Sequence, residues 1–133
     1  MNVAVRAHRI LNAMANYQKA SPTDDRLSKL AHERLGAAIG SYRNPGPAGE
    51  VVGIFADGMA WREGDRSIEI RFADLAEVAL PNGKESEGLS LRLRDGQQQQ
   101  LPVRGQRGRL RDSMEMLRFV HRVMQDFQRH AAT

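Results

Sequence analysis

The segment from Arg104 to Arg111 holds the residue types with the clearest binding chemistry in this chain. It reads Arg-Gly-Gln-Arg-Gly-Arg-Leu-Arg, and no acidic residue occurs before Asp112. Guanidinium groups bind phosphate or carboxylate bidentately, and a helix that starts nearby adds free backbone N–H donors. The pattern predicts an anion-binding loop whose candidate contacts are Arg104, Arg107, Arg109 and Arg111. The alternative is a solvated connecting loop in an arginine-rich chain.

A second candidate contact surface contains Arg92 and Arg94. These two arginines alternate with leucines at positions 89, 91 and 93. Such alternation predicts a strand that buries its leucines and exposes its arginines on the opposite face. That face could dock an acidic partner, or it could be the solvated side of a sheet beside acidic neighbours.

Trp61 is the only tryptophan of the chain. An exposed tryptophan can anchor a binding interface. Since aromatic side chains bury a large apolar area, we expect Trp61 to lie in the core instead.

The chain shows no residue pattern typical of catalysis or of a bound metal. It has no cysteine, which removes thiolate metal sites, iron–sulfur clusters and cysteine nucleophiles. The four histidines, at positions 8, 32, 121 and 130, have no spacing typical of metal ligands. We therefore assign no catalytic residue, no metal ligand and no cofactor. An enzyme with an unrecognised site remains an alternative, because its pocket would only form on folding.

Length and composition are those of one small globular protein. The 133 residues are 41% hydrophobic and 27% charged, and no apolar run approaches the ~20 residues that span a bilayer. We expect a soluble protein in the cytoplasm without a signal peptide. The net charge of +4 comes from residues 1–48, which is modest for a dedicated nucleic-acid binder.

A proline- and glycine-rich segment at residues 44–49 divides the predicted organisation. Before it, apolar residues at helical spacing predict a helix from Val3 to Lys19. A second helix is predicted from Ser21, a suitable N-cap, to a stop at Gly40. These two helices would form an antiparallel pair over residues 1–43, joined by the linker to a domain over residues 50–133.

The domain from residue 50 onward is predicted to be antiparallel β-structure followed by one helix. Asp-Gly and Asn-Gly dipeptides mark turns between alternating segments. The candidate strands are 51–56, 59–63, 66–72, 75–80, 88–94 and 97–103. An amphipathic helix follows from about Asp112 to Arg129, with Asp112 and Glu115 in the capping-box relation.

The order of these elements resembles the bacterial pleckstrin-homology-like (PH-like) domains. The resemblance covers about residues 50–130 and includes Arg71–Val78 and the hairpin Phe55–Trp61. It implies an α+β fold in which an antiparallel β-sandwich or barrel of six to seven strands is closed by a C-terminal amphipathic helix. It also implies a binding role towards lipid headgroups, peptides or proteins. The familiar phosphoinositide-binding signature is absent, since the first hairpin offers only Arg62 beyond Trp61.

These observations lead to the interpretation that the chain is a non-enzymatic binding or adaptor module with a protein partner. An inhibitory or immunity-type role falls within this class. The N-terminal helices are the candidate surface for a partner or for a homodimer. The alternative is a protein that binds nucleic acid or another anionic surface through the arginine-rich loop, in which case binding would depend strongly on salt.

Overall fold

The computed structural model describes residues 3–11, 17–19, 35–44, 50–63, 66–80, 89–103 and 109–132, with the side chains of the last helix described from Met114 to Arg129. The chain is α+β. Its described elements, in order, are α1 (Val3–Ile10), β1 (Tyr17–Lys19), β2 (Ala38–Arg43), β3 (Val51–Phe55), β4 (Gly58–Glu63), β5 (Arg66–Arg71), a 3₁₀ turn (Phe72–Asp74), β6 (Leu75–Ala79), β7 (Leu89–Leu93), β8 (Gln98–Leu101) and α2 (Arg109–Ala132).

Five strands form one antiparallel sheet in the order β1-β2-β3-β4-β5. The Asp57-Gly58 step makes the tight connection between β3 and β4, and Trp61 of β4 lies opposite Ile68 of β5. Since successive side chains of a strand point to opposite faces, Met59 and Trp61 share the inner face and lie in the main core.

A smaller apolar cluster lies on the other face of this sheet. Leu35 is buried there against Phe55 and Ala60. Backbone hydrogen bonds hold the segment in place, because Asp57 N donates to Leu35 O at 2.8 Å and Ala56 N donates to Ala37 O at 2.9 Å. The sheet is therefore covered on both faces near the β3–β4 connection.

A second antiparallel sheet has the order β6-β7-β8. The β7–β8 turn contains Asp95-Gly96, and Gly96 adopts a φ of 91°, which glycine tolerates best. The Asp95 carboxylate stabilises this turn by accepting a hydrogen bond from the Gln97 N–H at 2.9 Å. Among the described strands, the two sheets do not close into a barrel, so the barrel alternative of the sequence analysis is wrong.

The helix α2 packs over the core between the sheets. Phe119 and Phe127 of α2 contact Phe72 of the 3₁₀ turn, with ring centroids 6.2 Å and 5.7 Å apart. Buried Val120 and Val123 belong to the same cluster as the inner faces of both sheets. The amphipathic pattern predicted for this region is confirmed, and the helix is longer at both ends than expected.

The predicted N-terminal helix is wrong beyond its first turns. The helix α1 ends at Ile10, and Tyr17–Lys19 forms the strand β1. Tyr17 pairs with Tyr42 of β2, and both rings are buried in the main core. Burial of the Tyr17 ring and the backbone hydrogen bonds between β1 and β2 stabilise the strand. They outweigh the intrinsic helix preference of these three residues, which is small.

The predicted end of the second helix is also wrong. Ala38–Arg43 forms the strand β2, which pairs with β3. Gly40 lies within this strand, where the Tyr17 hydroxyl occupies the space that a Cβ atom would need. Its role is to admit the Tyr17 ring, not to end a helix. The remainder of the predicted second helix, residues 21–34, lies outside the described residues.

Strands from both sides of residues 44–49 therefore lie in one sheet. Asn44, 2% exposed, fixes the connection between them. Its Nδ2 donates to Glu50 O at 3.0 Å and to Pro102 O at 2.7 Å, so it also ties the first sheet to the segment after β8.

The six strands predicted after residue 50 are all present, and their ends differ from the prediction by at most two residues. The helix α2 begins at Arg109, three residues before the predicted start. Asp112 thus lies inside the helix and is not its N-cap. Within the described residues, no helix is long and apolar enough to cross a membrane.

Candidate binding surface on the helical layer

The two helices form one layer, because α1 packs against α2. On α1, Val3, Ala7 and Ile10 recur at helical spacing and are buried. They belong to the same apolar cluster as Val120 and Val123 of α2. We refer to α1 and α2 together as the helical layer. The apolar face of α1 is therefore covered by other residues of the same chain, including those of α2.

A bidentate ion pair joins the two helices. Arg6 Nε donates to Asp126 Oδ2 and Arg6 Nη2 donates to Asp126 Oδ1, each at 3.1 Å. The hydrogen bonds from Arg6 are the main reason that the pKa of the Asp126 carboxyl lies below its usual value, while partial burial acts in the opposite direction. Parallel N–H···O bonds of this kind give orientation as well as attraction.

Replacing Asp126 with asparagine should lower the stability of the protein at neutral pH, and the loss should depend on pH. Because the pKa of Asp126 is depressed in the folded state, its contribution is fully present above the ordinary carboxyl pKa of about 3.9. It disappears as the pH falls through the lower folded value. Urea unfolding of the wild type and Asp126→Asn at several pH values measures the difference.

The matched control for this prediction is Arg9→Gln on the exposed side of α1, which should change stability little. Arg6→Gln should resemble Asp126→Asn, and the double variant should cost less than the sum of the two. A stability difference that stays constant from neutral to acidic pH would show that the pair does not hold the helices together.

The helical layer carries all of the net positive charge of the described side chains. It has five arginines (6, 9, 118, 122 and 129) against two carboxylates, Glu115 and Asp126. The remaining described side chains carry seven basic and seven acidic groups. The layer also holds both exposed large apolar side chains of the described residues, Val5 and Met114, which are 47% and 52% exposed.

Three arginines of α2 form a row on its exposed side. Arg118, Arg122 and Arg129 are all exposed, whereas Phe119 and Val123 between them point into the core. Glu115 lies beside the row, but its Oε2 is 3.8 Å from Arg118 Nη1, which is long for an ion pair. We call Arg118, Arg122 and Arg129 the arginine row.

Of the candidate residues from the sequence, the structure describes the side chains of Arg92 and Arg94. Arg92 is exposed on β7, and its Nη2 donates to Glu77 Oε2 at 2.8 Å across the β6–β7 pair. This geometry favours the solvated-face interpretation. Arg94 lies in the turn after β7. The predicted strand included Arg94, but the observed strand ends one residue earlier, at Leu93. The backbone N–H of Arg94 donates to Asp74 O at 2.9 Å.

The arginine-rich segment is divided by the start of α2. Arg109 and Arg111 are helical residues, so the prediction that they belong to a loop is wrong. Arg104 and Arg107 lie outside the described residues. The structure therefore places part of the predicted basic segment in the same helix as the arginine row.

Two further side chains are explained by packing. Trp61 is fully buried, which confirms the predicted core position, and its Nε1 lies 3.4 Å from Glu63 Oε1. Burial raises the pKa of Tyr17 to about 12, so its phenol stays protonated at neutral pH.

Among the described residues, no three His, Asp or Glu side chains are grouped as metal ligands would be.

Comparison with protein-family models, with curated proteins and with solved structures finds no match to this chain.

Sequence reasoning missed the arginine row and the Arg6–Asp126 pair. The row had a detectable signal, because positions 118, 122 and 129 share one face of any helix over this region. The ion pair had no signal, since its partners are 120 residues apart in the chain.

Proposed function

We propose that this protein is a non-enzymatic binding module that recognises an acidic surface on a protein partner through its helical layer. The observation that carries the proposal is the uneven distribution of charge and exposed apolar groups. The layer combines a net positive charge with the exposed side chains of Val5 and Met114. Arginine and methionine are both enriched at protein–protein interfaces.

The PH-like resemblance supports the same class of function. The described elements agree with it only broadly: antiparallel strands are followed by an amphipathic helix, but the first sheet also includes β1 and β2 from before residue 50. Domains of that kind act as adaptors, and an inhibitory or immunity-type protein would also use such a surface. Our proposal places the protein in the cytoplasm, as the composition predicts.

A partner protein fits the surface better than nucleic acid does. All seven aromatic residues of the chain are described, and none of them is exposed. Binding of single strands generally uses exposed aromatic rings on which bases stack. The exposed Met114 and Val5 add apolar contact that a phosphate backbone does not reward.

A tagged pull-down from the lysate of the native host tests the proposal. The lysate is split, one half is treated with nuclease, and each half is washed at low and at high salt. We expect one stoichiometric protein to survive high salt in both halves, because an interface with an apolar component is only partly screened. Recovery of nucleic acid that is lost at high salt, with no retained protein, would contradict the proposal.

A further inference from the structure

We propose that the arginine row on α2 docks an acidic α-helix of the partner, and that Arg6 of α1 keeps this row available by holding Asp126. The inference rests on the proposed function and specifies the site and the partner's chemistry. It follows from three features of the helical layer: the spacing of the row, the position of Asp126, and the absence of exposed aromatic rings.

The spacing of the row suits a second helix. Arg118, Arg122 and Arg129 are four and seven residues apart, which keeps them within an arc of about 40° over roughly 16 Å of helix. Two helices packed at about 20° stay in contact at such intervals over several turns. Glutamates at the same spacing on a partner helix would meet the guanidinium groups, which bind carboxylates bidentately.

Asp126 would ordinarily neutralise part of this row. It lies four residues after Arg122 and three before Arg129, the separations at which opposite charges pair along a helix. In the folded chain both of its carboxylate oxygens accept hydrogen bonds from Arg6 instead. The docking of α1 thus occupies both oxygens of the carboxylate that would otherwise pair with Arg122, while Arg129 still lowers the pKa of Asp126 by charge attraction.

A nucleic-acid duplex is a poorer occupant of the same surface. Tight binding to a duplex uses roughly 6–10 phosphate contacts, and the row supplies three arginines. A partner helix needs only a few carboxylates on one face to pair with these arginines. Its apolar side chains can contact the exposed Met114.

The test measures binding of a defined acidic helix by fluorescence anisotropy at physiological salt. The probe is a fluorescein-labelled helical peptide with glutamates at positions i, i+4, i+7 and i+11 on an alanine–leucine frame. A scrambled peptide of the same composition and a 20-base-pair DNA duplex are the comparison ligands. We expect the patterned peptide to bind the full chain more tightly than either.

Charge reversal locates the site. The variant Arg118→Glu/Arg122→Glu/Arg129→Glu should weaken peptide binding by about tenfold or more, since each exposed pair contributes up to several-fold in affinity. The matched control, Arg62→Glu/Arg66→Glu/Arg71→Glu, changes the net charge equally at three exposed positions of β4 and β5. It should change affinity less than about threefold. Circular dichroism checks that both variants fold. The same two sets of three arginines are also replaced with glutamine, which removes each charge without reversing it.

The role of Arg6 has its own signature. Arg6→Gln should weaken peptide binding because Asp126 is released towards Arg122 and Arg129, and Arg6→Gln/Asp126→Asn should restore it. Arg9→Gln removes the same charge from α1 and should have a smaller effect. Equal effects of Arg6→Gln and Arg9→Gln would overturn the role of Arg6.

Three results would overturn the docking site: equal losses for the two triple-reversal variants, equal binding of the scrambled peptide, or tighter binding of the duplex. Failure of the peptide to bind at all would also refute it. The proposed function would still stand in that case if the pull-down yields a salt-resistant protein partner, so the two failures are distinguishable.

Discussion

Replacement of Trp61 by alanine should destabilise the protein by about 3–5 kcal/mol, as for other fully buried large aromatics. Trp61 is fully buried and lies opposite Ile68 in the centre of the β4–β5 pair. Its removal would leave a cavity beneath the five-stranded sheet, because the surrounding strands are fixed by their hydrogen-bond ladders and can collapse only partly. Such a loss is a large share of the ~5–15 kcal/mol by which domains are stable.

Urea unfolding followed by far-UV circular dichroism measures this effect without relying on the tryptophan signal. Trp61→Phe is the matched control, since it keeps most of the buried ring and should lose much less stability. The wild-type protein should show blue-shifted tryptophan emission that external quenchers hardly reach. A cost below about 1 kcal/mol for Trp61→Ala, typical of surface positions, would show that this region is not a tightly packed core.

Gly58→Ala should have the next largest effect, a destabilisation of about 3 kcal/mol at the upper end of the usual cost of overpacking. A Cβ atom at position 58 would collide with the backbone oxygen of Ile70. It would also lie 2.6 Å from Leu35 Cδ2 and 3.1 Å from Arg71 Cα. Because Ile70 and Arg71 belong to the strand paired with β4, relief would require the β4–β5 pair to separate.

Gly96→Ala is the matched control for the clash. Gly96 has a φ of 91°, but nothing lies within 4 Å of the position that a Cβ atom would occupy. Only backbone strain opposes the substitution, at a cost of about 1–2 kcal/mol. Thermal unfolding of both variants gives the comparison. If Gly96→Ala is at least as damaging as Gly58→Ala, close packing of β4 against β5 is not what requires glycine at position 58.

The sheets were predictable where the chain carries local signals. Asp57-Gly58 and Asp95-Gly96 mark turns, and Ile68 and Ile70 alternate with polar residues along β5. The strands β1 and β2 lacked such signals. Tyr17–Lys19 has only three residues, too few to show an alternation, and Tyr17 also continues the helical spacing of the preceding segment. Its strand conformation depends on pairing with Tyr42, a contact that no local pattern specifies.

The candidate surface was predictable only in part. The sequence indicated an anion-binding loop before the last helix. The structure places Arg109 and Arg111 in α2 instead, and their part in a binding site stays a prediction. The sequence did not indicate that Arg6 would reach Asp126, because the two residues are 120 positions apart in the chain and meet only when α1 packs on α2. The sequence also did not distinguish Arg92, which pairs with Glu77, from the three arginines of the row. All four are arginines that recur at regular spacing along a strand or a helix.

The most direct test of the account is photo-crosslinking beside the arginine row in the lysate of the native host. A photoreactive phenylalanine analogue replaces His121, an exposed residue beside Arg122 on α2, and the control protein carries it in place of Arg66 on β5, which is also exposed. The account predicts one discrete protein adduct from position 121 that is insensitive to nuclease, and none from position 66. Equal adducts from both positions, an adduct from position 66 alone, or crosslinks to nucleic acid only would contradict it.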